Sequence, residues 1–209
     1  MGSEMCIRDR YEPVKKRSDS YQSEAALEQE FIRLLCEQGY EYLPIHTEKD
    51  LIANLRKKLE ELNNYQFSDT EWDDFFKNAV ANPNEHIVEK TRKIQEDNVQ
   101  VLTRDDGSSK NITLIDKKNI HNNRLQVINQ YVIGTENGAK HDNRYDVTVL
   151  VNGLPLVHIE LKRRGVAIRE AFNQINRYQR DSFWAGCGLY EYIQIFVISN
   201  GTNLSLIHI

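Results

Sequence analysis

Cysteine is scarce in this sequence, and long apolar runs are absent. Cys6, Cys36 and Cys187 lie far apart and in no C-x-x-C spacing, so the sequence supports neither a disulfide framework nor a structural zinc site. No stretch approaches the ~18 consecutive apolar residues that a membrane-spanning helix needs. The opening residues also lack the apolar core of a secretory signal. We therefore expect a cytoplasmic protein with no membrane partner.

Positive charge is not in excess either. The chain has 27 lysines and arginines against 31 aspartates and glutamates, and its net charge of −4 excludes a protein that holds nucleic acid through overall charge alone. A local basic groove is compatible with this balance. The phosphate-binding pattern G-x-x-x-x-G-K-[ST] does not occur, so the chain offers no usual ATP site.

The first half of the chain has a helical pattern. Gly39 is typical of a helix end, and residues 68–71 have the form of a capping box. The apolar spacing predicts helices over residues 23–39, 48–62, 68–80 and 85–94.

Residues 1–19 and 204–209 do not continue the pattern of their neighbours. We expect 1–19 to be a disordered or non-native leader and 204–209 a non-native or truncated end. The intervening residues 20–203 are predicted to form a single domain. It divides into a mainly helical part, 20–95, and a part with a sheet and one helix, 96–203.

After residue 95 the apolar period becomes that of strands. Asn152-Gly153 is a strong signal for a two-residue hairpin turn between two apolar runs. A helix is expected over residues 165–181. Strands are expected over residues 98–104, 111–116, 125–133, 144–151, 156–162 and 192–199. The order predicts a mixed α/β sheet with helices packed against it.

The hairpin carries the residues with the clearest chemistry. Strand alternation places Glu160 and Lys162 on one face, and the turn brings Asp146 opposite residues 159–161 on the neighbouring strand. Two adjacent carboxylates repel each other unless a cation lies between them. Oxygen ligands favour Mg²⁺ or Mn²⁺ over zinc, and such a site with a nearby ammonium group can hydrolyse a phosphodiester. The alternative is a solvated hairpin in which Glu160 and Lys162 simply form an ion pair.

A wider resemblance rests on several segments together with Asp146 and the Glu160-Leu161-Lys162 triplet. Those segments are SYQSEAALEQEFI, KTRKI, LIDKKN, NRYDVTVLVNGLPLVHIELKRRGVAIREAFNQINRY and IQIFVISNGTN. They resemble the N-terminal nuclease domain of the HsdR restriction subunit of type I restriction–modification enzymes, within the PD-(D/E)xK nuclease superfamily. The resemblance covers residues 20–203. It implies a restriction-endonuclease-like mixed central β-sheet flanked by helices, with an extra N-terminal helical segment.

The resemblance also implies roles for individual residues. Asp146 and Glu160 would be metal ligands with the Leu161 carbonyl as a further ligand, and Lys162 would be the catalytic lysine. Glu28 would supply another carboxylate from the first helix, and Glu24 is the alternative residue for this role. The other possibility is that Glu28 is simply a solvated glutamate on that helix. Gln174 and Tyr178 match the Q-x-x-x-Y motif of this family, and the alternative for Tyr178 is a plain core residue.

Charge near these residues favours a DNA substrate. Residues 162–180 carry six basic residues and one acidic residue, which suits contact with a phosphate backbone rather than with bases. Such a run can also be a solvated helix face. Two roles stay open for His158: it could support Glu160, or it could be an imidazole at the protein surface. The predicted DNA contacts are Arg163, Arg164, Arg169 and Arg177.

As a whole, the resemblance implies a metal-dependent endonuclease domain that cuts double-stranded DNA non-specifically after ATP-driven translocation. ATP would bind only in motor domains outside this chain. The implied partners are the methylation (HsdM) and specificity (HsdS) subunits, and the implied cofactor is Mg²⁺, with Mn²⁺ as a substitute. Two alternatives stay open: a catalytically silent nuclease-like module for docking DNA or subunits, and a RecB-like nuclease of another repair system.

Overall fold

The computed structural model describes residues 23–134, 138–139, 142–201 and 203–208. The predicted leader, residues 1–19, lies outside these ranges. The helices are α1 (Glu24–Glu37), α2 (Glu48–Asn63), α3 (Asp69–Phe75), α4 (Ile87–Gln95) and α5 (Ile168–Asp181). The strands are β1 (Glu41–Tyr42), β2 (Val99–Thr103), β3 (Ser109–Thr113), β4 (Leu125–Ile133), β5 (Asn143–Val151), β6 (Leu154–Leu161), β7 (Ile195–Ser199) and β8 (Leu204–His208). No helix within the described ranges is long and apolar enough to cross a membrane.

Six strands form a mixed sheet in the order β1-β4-β5-β6-β7-β8. β1 runs parallel to β4, and β6 runs parallel to β7, whereas β4, β5 and β6 are successive antiparallel neighbours. β2 and β3 form a separate antiparallel pair. The architecture is therefore the mixed α/β sheet with flanking helices that the sequence predicts.

The sheet has an apolar core on each face. On one face, side chains of β4, β5 and β6 pack against Phe31, Ile32 and Leu35 of α1. The opposite face carries the larger core, which includes residues of α2, α3 and α5. Burial on both faces explains why the central strands are rich in β-branched residues.

Local signals account for most helix boundaries. Ser23 caps α1, Thr47 caps α2, and Ser68 with Glu71 forms the expected capping box of α3. The predicted helix over 68–80 changes at Phe76, because residues Phe76–Val80 form a π-helical turn. α5 begins at Ile168, three residues after Gly165, whose φ of +87° is not helical.

Three strand predictions needed correction. β1 was missed, because a two-residue strand has no periodicity and forms only through pairing with β4. The strand predicted over 192–199 begins at Ile195, since Leu189–Tyr192 is a 3-10 turn. The strand predicted over 111–116 lies at Ser109–Thr113 instead, in register with β2.

The last described residues also join the sheet. β8 is an edge strand of the sheet and pairs antiparallel with β7, from Ser199 opposite Leu204 to Ile195 opposite His208. Leu204 and Leu206 are exposed there. The expectation that residues 204–209 are a non-native or truncated end stays a prediction, as does the division of 20–203 into two parts.

Candidate active site

The hairpin turn sets the position of the acid pair. Asn152 and Gly153 both have positive φ, 51° and 86°, as a type I′ turn requires. β5 and β6 then pair in antiparallel register, from Val151 opposite Leu154 to Val147 opposite Ile159. Asp146 is the next residue of β5, and its carboxyl group lies close enough to that of Glu160 to interact with it. The predicted juxtaposition across the hairpin is confirmed.

The two strands separate at Asp146. Beyond Val147, β5 continues to pair with β4, while β6 continues to pair with β7. Oδ2 of Asp146 accepts a hydrogen bond of 2.9 Å from the backbone N–H of Leu161. The aspartate therefore takes the place of a strand–strand hydrogen bond, and its carboxylate is held at the point where β5 and β6 diverge.

Glu160 and Lys162 form the other half of the site. Glu160 is fully buried, and its Oε1 accepts a 2.7 Å hydrogen bond from Nζ of Lys162. Its Oε2 is buried, and no residue that the structure describes hydrogen-bonds to it. The solvated-hairpin alternative is thus wrong for Glu160, because this ion pair lies inside the protein.

The electrostatics separate the two acids. Burial, together with the charge of Glu160, raises the pKa of Asp146 to about 7. Burial alone would raise the pKa of Glu160, but His158 and Lys162 outweigh it and hold that pKa below its usual value. Burial would lower the pKa of Lys162, yet Glu160 outweighs it and raises that pKa. Glu160 therefore keeps its negative charge, whereas the charge of Asp146 has to be neutralised by a proton or a cation.

The first helix brings two glutamates to the sheet at different places. The Glu28 carboxylate accepts hydrogen bonds from the side chains of Asn129 and Gln130 on β4. Glu24 accepts a 3.1 Å hydrogen bond from the backbone N–H of Arg163, and its charge acts on Lys162. Of the two candidates, Glu24 is the one that hydrogen-bonds to Arg163, the residue after Lys162. A metal-ligand role for Glu28 stays a prediction.

Gln174 and Tyr178 lie together on α5, one turn apart. Tyr178 is buried, and its hydroxyl donates a 2.9 Å hydrogen bond to the carbonyl oxygen of Arg144, while the Gln174 amide donates to that hydroxyl. Burial raises the pKa of Tyr178, which keeps the hydroxyl a donor. The motif therefore contacts the backbone two residues before Asp146.

The predicted DNA contacts are all at the surface. Arg163, Arg164, Arg169 and Arg177 are exposed, and the Arg177 guanidinium lies 5.5 Å from the centre of the Tyr178 ring. These positions are accessible to a phosphate backbone, and the DNA contacts stay predictions.

His158 is the residue whose environment the sequence did not reveal. It is fully buried, with Nε2 3.5 Å from Oε2 of Glu160, so the surface-imidazole alternative is wrong. Strand alternation does place it on the Glu160 face, but its burial depends on α5 packing over that face. The Arg144 carbonyl was missed too, since a backbone acceptor has no sequence signal.

The oxygen atoms suited to a cation come from few residues. Within the described ranges, no three His, Cys, Asp or Glu side chains cluster as a metal centre. The donors at the site are the carboxylates of Asp146 and Glu160, with the Leu161 carbonyl as the predicted third. Such a set suits a hard cation that keeps several water ligands.

Fold and site together define a mixed α/β protein with an acid pair and a lysine where two hairpin strands diverge. Comparison with known families gives the particular assignment. The chain belongs to the family described as type I restriction enzyme R protein N terminus, whose family model matches residues 21–207.

Individual relatives agree with this assignment. The chain is 52% identical to the type I restriction enzyme EcoprrI endonuclease subunit of Escherichia coli, over 94% of this chain and 62% of the relative. It is 40% identical to the SsaAORF53P endonuclease subunit of Staphylococcus saprophyticus, over 88% of this chain and 19% of the relative. Thus the chain spans about three fifths of the first relative and about a fifth of the second.

Proposed function

We propose that this chain is the metal-dependent DNA endonuclease domain of a type I restriction enzyme R subunit, with a PD-(D/E)xK type of fold. The observation that carries the proposal is the convergence of Asp146, Glu160 and Lys162 where β5 and β6 separate. The hydrogen bonds from Leu161 to Asp146 and from Lys162 to Glu160 hold these groups together. Family membership supports the same interpretation.

Asp146, Glu160 and the Leu161 carbonyl are the groups that would hold Mg²⁺, or Mn²⁺ in its place. Two observations support this fit. Burial beside Glu160 raises the pKa of Asp146 to about 7, and Oε2 of Glu160 is buried with no hydrogen-bond partner in the described part of the chain. A divalent cation held at these oxygens would supply charge neutralisation at the phosphate and activation of the attacking water.

The remaining steps belong to the side chains of this chain. Lys162 keeps its proton because Glu160 raises its pKa, so its ammonium group is available to stabilise charge that develops on the phosphate. The Leu161 N–H fixes the carboxylate of Asp146 in place. Exposed arginines after Lys162 would bind phosphates of the DNA backbone, which positions the strand without recognising its sequence.

The wider assignment is part of this proposal, and the names of the relatives, which are endonuclease subunits of type I restriction enzymes, support it. As the N terminus of an R subunit, the domain would cut double-stranded DNA non-specifically after translocation driven by ATP, which would bind in motor domains outside this chain. The methylation and specificity subunits would select the target. We place the assembly in the cytoplasm.

The test uses an R subunit that carries this chain, assembled with its methylation and specificity subunits. Lys162→Ala should abolish cleavage of plasmid DNA but leave ATP hydrolysis and translocation unchanged, because the chain lacks the phosphate-binding loop. Lys118→Ala, at an exposed lysine on the loop after β3, is the matched control and should cut normally. Full cleavage by Lys162→Ala would refute the proposed chemistry and favour a silent docking module.

A further inference from the structure

His158 lies in an aromatic box behind the acid pair. Its ring is surrounded by those of Tyr145, Tyr178, Phe183 and Phe196, with centroid distances of 5.3 to 6.3 Å. The side chain is fully buried, and neither ring nitrogen has a hydrogen-bond partner among the described residues. A phenylalanine would fill such a box without leaving polar nitrogens unpaired, so the imidazole needs another explanation.

That explanation lies in the direction of Glu160. Nε2 of His158 is 3.5 Å from Oε2 of Glu160, the buried oxygen that no described group hydrogen-bonds. Oε1 of the same carboxylate is already engaged by Lys162. The two side chains project from the same face of β6, two residues apart. Their separation exceeds the usual hydrogen-bond length of about 2.7–3.2 Å by only a few tenths of an ångström.

We propose that His158 is a positioning residue for Glu160: its Nε2–H donates to Oε2 and fixes the rotation of the carboxylate. The terminal torsion of a glutamate is soft, and Lys162 alone restrains only one of its two oxygens. With His158 on the second oxygen, the plane of the carboxylate is set before a cation binds. Groups that orient a ligand in this way raise metal affinity without touching the metal.

This inference rests on the proposed metal site at Asp146 and Glu160, and its test is therefore a binding measurement. Mn²⁺ is titrated into the 209-residue chain, and free Mn²⁺ is followed by electron paramagnetic resonance. His158→Phe keeps the ring in the aromatic box but removes the donor, so we expect the Mn²⁺ dissociation constant to rise roughly 10-fold or more with no drop in melting temperature. His158→Gln keeps an N–H donor and should retain most of the affinity.

Phe183→Leu is the matched control. It disturbs the same box, where Phe183 is 2% exposed, but removes no polar group. It should lower the melting temperature and leave the Mn²⁺ dissociation constant unchanged. If His158→Phe does not fold, His158→Met provides a second donor-free variant with the same expected loss of affinity.

Two outcomes would overturn the inference, and they differ. If donor-free variants bind Mn²⁺ like the wild type while Asp146→Ala does not, His158 only fills the core and the proposed metal site stands. If Asp146→Ala binds as well as the wild type, the metal site itself is wrong and the role of His158 fails with it. In the assembled enzyme, His158→Phe should raise the Mg²⁺ concentration needed for half-maximal cleavage but preserve the rate at saturating Mg²⁺.

Discussion

Tyr178→Phe should weaken the fold and the site together. The hydroxyl of Tyr178 donates to the Arg144 carbonyl at 2.9 Å and accepts from the Gln174 amide. Removing it breaks both hydrogen bonds and leaves the Arg144 carbonyl without this donor. A hydrogen bond contributes about 0.5–1.5 kcal/mol net, and half-buried Gln174 can turn to water. We therefore expect a loss of about 1–2 kcal/mol, or a melting temperature lower by roughly 2–8 °C for a chain of this size.

The same substitution should slow DNA cleavage in the assembled enzyme. The Arg144 carbonyl lies two residues before Asp146, at the part of β5 that no longer pairs with β6. With the bond from α5 removed, this segment has more freedom, and the aspartate is less firmly placed. Gln174→Ala breaks only the outer of the two hydrogen bonds, so its effects on melting and on cleavage should both be smaller.

Tyr192→Phe is a matched control for this experiment. The Tyr192 hydroxyl is also buried and also donates to a backbone carbonyl, that of Val80, at 2.8 Å. Tyr192 precedes β7, far along that strand from Ser199, which pairs with Leu161. Its loss should cost similar stability without slowing cleavage. The reasoning is refuted if Tyr178→Phe melts like the wild type, or if Gln174→Ala slows cleavage as strongly at an unchanged melting temperature, since the motif would then act on DNA directly.

Four further substitutions separate the site from the scaffold. Glu24→Gln should weaken Mn²⁺ binding or cleavage with little effect on the melting temperature. Glu28→Ala should instead cost about 1–3 kcal/mol of stability, because the side chains of Asn129 and Gln130 lose a buried acceptor. The reverse pattern in the two assays would assign Glu28 to the site. Lys90→Met leaves Glu191 without its 2.7 Å partner and should cost about 3–5 kcal/mol in denaturant unfolding, with Mn²⁺ affinity unchanged. Gly153→Ala would place a Cβ only 2.6 Å from Cα of Leu55, at a residue whose φ is +86°. It should lower the free energy of unfolding by at least about 1–3 kcal/mol. Wild-type stability of this variant would contradict the close packing of the hairpin turn on α2.

The acid pair was predictable because its determinants are local. The Asn152-Gly153 turn sets the register of the hairpin, and strand alternation puts Glu160 and Lys162 on one face. These two rules bring Asp146 to Glu160 without knowledge of the rest of the fold. The capping box at Ser68 and the amphipathic pattern of α5 are local in the same sense.

The supporting contacts were not predictable because they depend on how distant elements pack. Glu24 and Glu28 are one turn apart on α1 and share its face, so spacing alone cannot tell which one reaches the residue after Lys162. The burial of His158 depends on the aromatic residues of α5, of the segment after it and of β7. β1 exists only through two residue pairs with β4.

The divergence of β5 and β6 creates the site, and helices on both sides of the sheet stabilise it. Beyond the pair formed by Val147 and Ile159, β5 and β6 are no longer paired as neighbouring strands. On one side, Glu24 of α1 accepts from the N–H of Arg163. On the other side, Tyr178 of α5 donates to the carbonyl of Arg144. Each helix thus hydrogen-bonds to the backbone next to one half of the acid pair. For the proposed metal site, both helices would have to be docked before the two carboxylates could bind the same cation.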